Sequence, residues 1–172
     1  MQRSFIIILL ILAITAGCKK DEVPLSGTIT IDNNLYGTSS YYSLGFSFEK
    51  ADLVSTLSSG FDIVLTNDGT IANLILQASN FNNSFYLAGT YSDESAAKQA
   101  FTAMIQPVVN GWAEWAFGVK PNQIWIYRTS KDTYAKMRII STESVAKTPR
   151  NYAACTFEWV YQPDGTLTFG GK

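Results

Sequence analysis

The chain has 172 residues, with 13 basic and 14 acidic side chains, a formal net charge of −1, no histidine and two cysteines. That balance offers no basic excess to hold nucleic acid or an acidic polymer. Without histidine, and with Cys18 and Cys155 as the only thiols, it cannot build a Ser-His-Asp triad, a Cys-His dyad or a His/Cys zinc site.

The N-terminus comes first. Arg3 precedes an unbroken apolar run over residues 5–14, about half the roughly 20 residues an apolar helix needs to cross a bilayer. So short a run, followed by small residues, predicts a cleaved export signal and not a membrane helix. Thr15-Ala16-Gly17-Cys18 then resembles the lipobox of bacterial lipoproteins, with Thr15 where that family usually has Leu. The resemblance implies a signal peptide over residues 1–17 and a lipid on Cys18. Residues 19–22, Lys-Lys-Asp-Glu, cannot pack in a core, so residues 18–24 read as a lipidated, solvated tether. A cysteine followed by lysines and acids is similar to the surface-export signal of Bacteroidetes lipoproteins, which implies an outer-membrane anchor facing the cell exterior. Loss of residues 1–17 leaves 155 residues and a charge of −2, enough for one domain over residues 25–172. With Cys18 lipidated, Cys155 is single and no intrachain disulfide can form.

Strand patterns follow. Residues 25–31 alternate, with Ile29 and Ile31 on one face and Thr28 and Thr30 on the other; residues 41–49 place Leu44, Phe46 and Phe48 together. Residues 61–66 and 70–78 flank Asn67-Asp68-Gly69, a strong hairpin signal. Residues 85–90 make a further strand. After Ser92, a capping residue, the acids Asp93 and Glu94 suit a first helical turn. Ala97, Ala100, Phe101, Met104 and Ile105 recur at helical spacing, and Pro107 stops the helix. Residues 111–118 hold Trp112, Trp115 and Phe117 between two glycines, and read equally as a helical turn or a loop tip. Residues 122–129 and 133–141 form another hairpin, with Ala135, Met137 and Ile139 on one face and Tyr134, Lys136 and Arg138 on the other. Residues 154–161 align Cys155, Phe157, Trp159 and Tyr161. Pro163-Asp164-Gly165 turns the chain into a last strand over residues 166–169. Nine strands and one helix predict a single, mainly β antiparallel domain with one helical insertion.

Several blocks of this domain carry a resemblance. They are Phe46-Ser47-Phe48-Glu49-Lys50-Ala51, Phe61-Asp62-Ile63-Val64-Leu65-Thr66-Asn67, Ile124-Trp125-Ile126-Tyr127-Arg128-Thr129, Tyr134-Ala135-Lys136-Met137-Arg138 and Phe157-Glu158-Trp159-Val160-Tyr161. In this order they resemble the HmuY family of haem-binding surface lipoproteins, over about residues 41–169 with residues 81–121 unmatched. The resemblance implies an all-β domain that captures haem and passes it to a TonB-dependent receptor. Its two-histidine form of haem ligation is impossible in a chain without histidine; relatives that use methionine leave Met104 and Met137. Met137 shares a face with Ala135 and Ile139 and reads as core. Met104, in the unmatched region, is the candidate haem ligand, since a thioether can hold haem iron from an axial position.

Other readings stand beside haem capture. Trp112, Trp115 and Phe117 form either a binding surface for a glycan or protein partner or a lid over the core. A structural accessory subunit is a third. Asp93/Glu94 and Asp62/Asp68 sit at a helix start, a strand and a turn, and no motif points to an enzyme or a metal site. The expected function is non-enzymatic binding at the outer membrane.

Overall fold

The computed structural model describes residues 23–71, 73–80 and 82–170. The signal segment, Cys18 and residues 19–22 lie outside the described residues. Ten strands and one helix follow in the order β1 (Ser26–Asp32), β2 (Leu44–Ser47), β3 (Asp52–Ser55), β4 (Ile63–Asn67), β5 (Leu74–Ala78), β6 (Phe85–Thr90), α1 (Glu94–Ala103), β7 (Trp115–Phe117), β8 (Gln123–Arg128), β9 (Tyr134–Val145) and β10 (Tyr152–Gln162). They build two five-stranded antiparallel sheets, β1-β10-β9-β8-β6 and β3-β2-β4-β5-β7. The mainly β class and the single helix expected from the sequence are present.

The alternating strands face each other as a sandwich. Phe46, Ile63, Leu65 and Leu76 from the small sheet meet Tyr127, Met137, Cys155, Phe157 and Trp159 from the large one, all but fully buried. Burying each such side chain contributes about 1.5–3 kcal/mol before chain entropy is counted. Aromatic rings dominate the contact: Phe46 lies 5.3 Å from Trp159 and meets Phe157 edge-on at 5.8 Å, while Phe48 lies 5.5 Å from Tyr127. Met137 is core, as its face predicted.

Residues 115–117, expected as a helical turn or loop tip, form the strand β7, the strand expected over residues 70–78 starts at Leu74, and three further local features differ from expectation. The segment over residues 166–169 is not a strand; Phe169 is buried and its N–H donates to the Ile105 carbonyl at 2.8 Å, fastening the tail to the end of the helix. The helix is capped by Asp93, whose carboxylate accepts the Ala96 N–H at 2.9 Å, while the Ser92 hydroxyl supports that carboxylate at 3.0 Å. A charged cap satisfies a free N–H more strongly than a hydroxyl would. Finally α1 ends at Ala103, so Ile105 leaves the apolar stripe and is exposed.

The helix forms an outer layer on the large sheet, against β8 and β9. This is why β8 is apolar on both faces: Trp125 and Tyr127 point into the sandwich and Ile124 and Ile126 lie on the opposite face, still buried. Lys136, across from Ile126 on β9, is only 4% exposed. Its ammonium donates to the carbonyls of Phe101 at 2.7 Å and Met104 at 2.9 Å, and sits over the rings of Phe101 and Phe169. A cation at the carbonyl-rich end of a helix satisfies acceptors that the last turn leaves free.

Candidate functional site

Two clefts stand out. The first runs along the seam where the edge strand β6 of the large sheet passes the edge strand β7 of the small one. Residues 111–118 cross that seam: the chain forms a two-way bridge between Ala113 and Phe85, then pairs Trp115 with Gln77 and Phe117 with Ile75. Because strand side chains alternate, Ala116 is fully buried while Trp115 (41%) and Phe117 (53%) project outward together. Gly118, at φ +68°, turns the chain away from the sheet. Gln123 then clamps the exit, donating to the Gly118 carbonyl and accepting the Lys120 N–H and the Trp125 indole N–H.

The resulting open cleft, about 490 Å³, is lined by Tyr86, Leu87, Trp112, Trp115, Phe117 and Trp125, among others. Trp112 stacks on Tyr134 at 6.1 Å, and the Arg128 guanidinium lies over the Trp112 ring at 5.0 Å. Arg128 is held in turn by the Asn83 carbonyl. Of the three aromatics named from the sequence, Trp115 and Phe117 present free faces and Trp112 is braced by a cation and a phenol. None of the three belongs to the central core cluster.

Met104 lies elsewhere. It is the C-cap residue of α1, half-buried, with its N–H bonded to Ala100 and its carbonyl held by Lys136. Neither cleft described here has it in its wall. Cys155 is fully buried and free, and burial pushes its thiol pKa up to about 12. Among the described residues no group of three or more His, Cys, Asp or Glu could hold a metal ion.

The second cleft, about 320 Å³, sits at the sandwich end formed by the β8–β9 hairpin, the β2–β3 turn and the loop before β4. Its key side chain is Asp62. The backbone of Asp62 is pinned on three sides: its N–H donates to the Phe46 carbonyl, and its carbonyl accepts the Ser79 N–H and the Tyr127 hydroxyl. The carboxylate Oδ2 accepts the Phe48 N–H at 2.8 Å, while Oδ1 accepts no hydrogen bond among the described residues. Burial, offset in part by the Phe48 bond, pushes its pKa from 3.8 up to about 6. Glu49 and Lys131 pair at 2.6 Å across the rim, and Ser47, Ser79, Thr129, Ser130 and Tyr161 add hydroxyls.

In the sequence Asp62 reads as an ordinary strand residue. Asp68 and Asp93 do behave structurally: Asp68 accepts from Thr70 and Asn73 in its turn and Asp93 caps the helix, and both have lowered pKa values because of those bonds. Asp62 differs because the pinned backbone carries its side chain inward. Residues far apart in the chain, Ser47, Glu49, Phe61, Asp62, Thr129 and Tyr161 among them, meet in this single cleft. Neither a protein-family model nor a curated protein matches the chain.

Proposed function

We propose that this chain is a non-enzymatic binding protein, held at the outer membrane by a lipid on Cys18, whose ligand site is the aromatic cleft at the β6–β7 seam. The observation that carries this reading is the exposure of Trp115 and Phe117 side by side on an edge strand whose intervening residue, Ala116, is buried. Large aromatic faces left in water lose the gain that burial would supply. A cleft lined by them favours a ligand with flat, C–H-rich faces, and the pyranose rings of a neutral glycan fit that description.

The test is a titration of the mature chain with neutral oligosaccharides, followed by tryptophan fluorescence. Saturable quenching that Trp115→Ala and Phe117→Ala each abolish, with melting temperature retained, supports the reading. Binding that survives both substitutions overturns it. Haem capture for a TonB-dependent receptor, which the HmuY-like blocks imply, is tested on the same preparation: a Soret band lost in Met104→Ala assigns haem to Met104, and no saturable change removes it. For the anchor, Cys18→Ser should shift the protein from the membrane fraction to the soluble one.

A further inference from the structure

The Asp62 cleft is separate from the aromatic seam and has its own chemistry. We propose that it is a second binding site, for a small polyhydroxylated primary amine of the amino-sugar class, with the ligand's ammonium against Asp62. The first argument is charge. Asp62 brings a carboxylate whose Oδ1 has no hydrogen-bond partner among the described residues, in a cleft whose lining cation, Lys131, is already paired with Glu49. Asp62 is half-buried, so its carboxylate is only partly solvated and has no counter-ion of its own; an incoming ammonium supplies that charge and a hydrogen bond to Oδ1.

Hydroxyls make the second argument. Ser59, Ser79 and Ser130 line the walls and can donate or accept, which suits a ligand that carries several hydroxyls of its own; the Thr129 hydroxyl is already held by Lys131 and Thr133. The rings of Phe61 and Tyr161 add apolar surface between them. A volume of about 320 Å³ lies at the small end of the range for ligand sites, so a single sugar ring fits and a chain does not.

Glu49 and Lys131 act on Asp62 in opposite directions, Lys50 reaches the neighbouring Gly60, and the phenols of Tyr127 and Tyr161 stay protonated because burial raises both. The net field therefore leaves the ionisation of Asp62 as the variable that a cationic ligand reads. With a pKa near 6, about one Asp62 in ten is ionised at about pH 5 and most are at about pH 7.

The experiment titrates the full mature chain, in a non-ionic polyoxyethylene detergent, with glucosamine and follows amide signals by NMR. Phe48, whose N–H is bonded to the Asp62 carboxylate, is the internal reporter, with Gly60, Ser79 and Ser130. Saturable shifts at about pH 7, an affinity about tenfold weaker at about pH 5, and no binding of N-acetylglucosamine or glucose are expected. Asp62→Asn, which keeps an acceptor for Phe48, should lose both the binding and its pH dependence. Trp115→Ala should change neither, which separates this site from the aromatic cleft. Equal binding of N-acetylglucosamine, an absence of saturable shifts with glucosamine, or pH-independent affinity overturns the proposal; the pH series on the unaltered protein decides even where the variant does not fold.

Discussion

Replacing Asp62 by asparagine should stabilise the protein at neutral pH and do little in acid. The asparagine is nearly isosteric with the neutral acid and its amide oxygen can still accept the Phe48 N–H. In the unaltered chain the folded pKa is raised from 3.8 to about 6 by burial. Between those two values the folded state holds a proton that the unfolded state has released. Stability from this group is therefore complete below about pH 4 and is lost as pH rises through about 6. Two pKa units correspond to ~3 kcal/mol, or ~6–12 °C in melting temperature for a domain of this size. Asp68, Asp93 and Asp164 work in the opposite direction, because hydrogen bonds lower their pKa values. Comparing variant and unaltered protein cancels their effect. Urea unfolding of both proteins at about pH 4.5 and pH 7.5 should give curves that nearly coincide in acid and separate at neutral pH, with Asn the more stable. A variant destabilised equally at both values would refute the reasoning, since it would mean that the carboxylate is a net support of the fold.

Other expectations are simpler to check. Lys136→Ala strands the Phe101 and Met104 carbonyls and should cost about 2–4 kcal/mol, with faster amide exchange in α1 and at Phe169; Lys136→Met, which keeps the stem, should cost less. Gly45→Ala would place a Cβ 2.8 Å from the Phe61 ring and 3.0 Å from the Ile63 carbonyl, so about 1–3 kcal/mol should be lost in thermal unfolding. Cys155 should resist thiol reagents until the protein unfolds, and labelling at the rate of a free cysteine would contradict its buried position.

Much of the sandwich was legible because its strands alternate and its turns carry Gly, Asn and Asp. The β6 bounds match those read from the sequence, and the Asn67-Asp68-Gly69 hairpin joins β4 to β5 as expected. Short edge strands were not legible. β3 and β7 have four and three residues, too few to show a period, and the sheet neighbour that makes β7 a strand lies about 40 positions earlier, in β5. Lys136 and Arg138 sit on a polar-looking strand face, yet both are buried; Lys136 lies against the end of the helix, which only the fold brings to that face, and Arg138 pairs with Glu158 of β10. The Asp62 cleft was hidden for a related reason. Its wall is assembled from residues between Ser47 and Tyr161, and spacing along the chain carries no record of that convergence.

The entry of the chain into the domain has a consequence for orientation. The Leu25 carbonyl accepts the Tyr161 N–H at 2.7 Å, and Ser26 pairs with Val160, so β1 starts at the same end of the sandwich as the Asp62 cleft. Residues 18–24 can reach at most about 25 Å even when fully extended. A lipid on Cys18 would therefore hold the Asp62 end toward the bilayer and turn the loop around Pro149 toward the medium. The polar cleft would then open on the narrow space between domain and membrane, which small solutes would enter more readily than bulky ones.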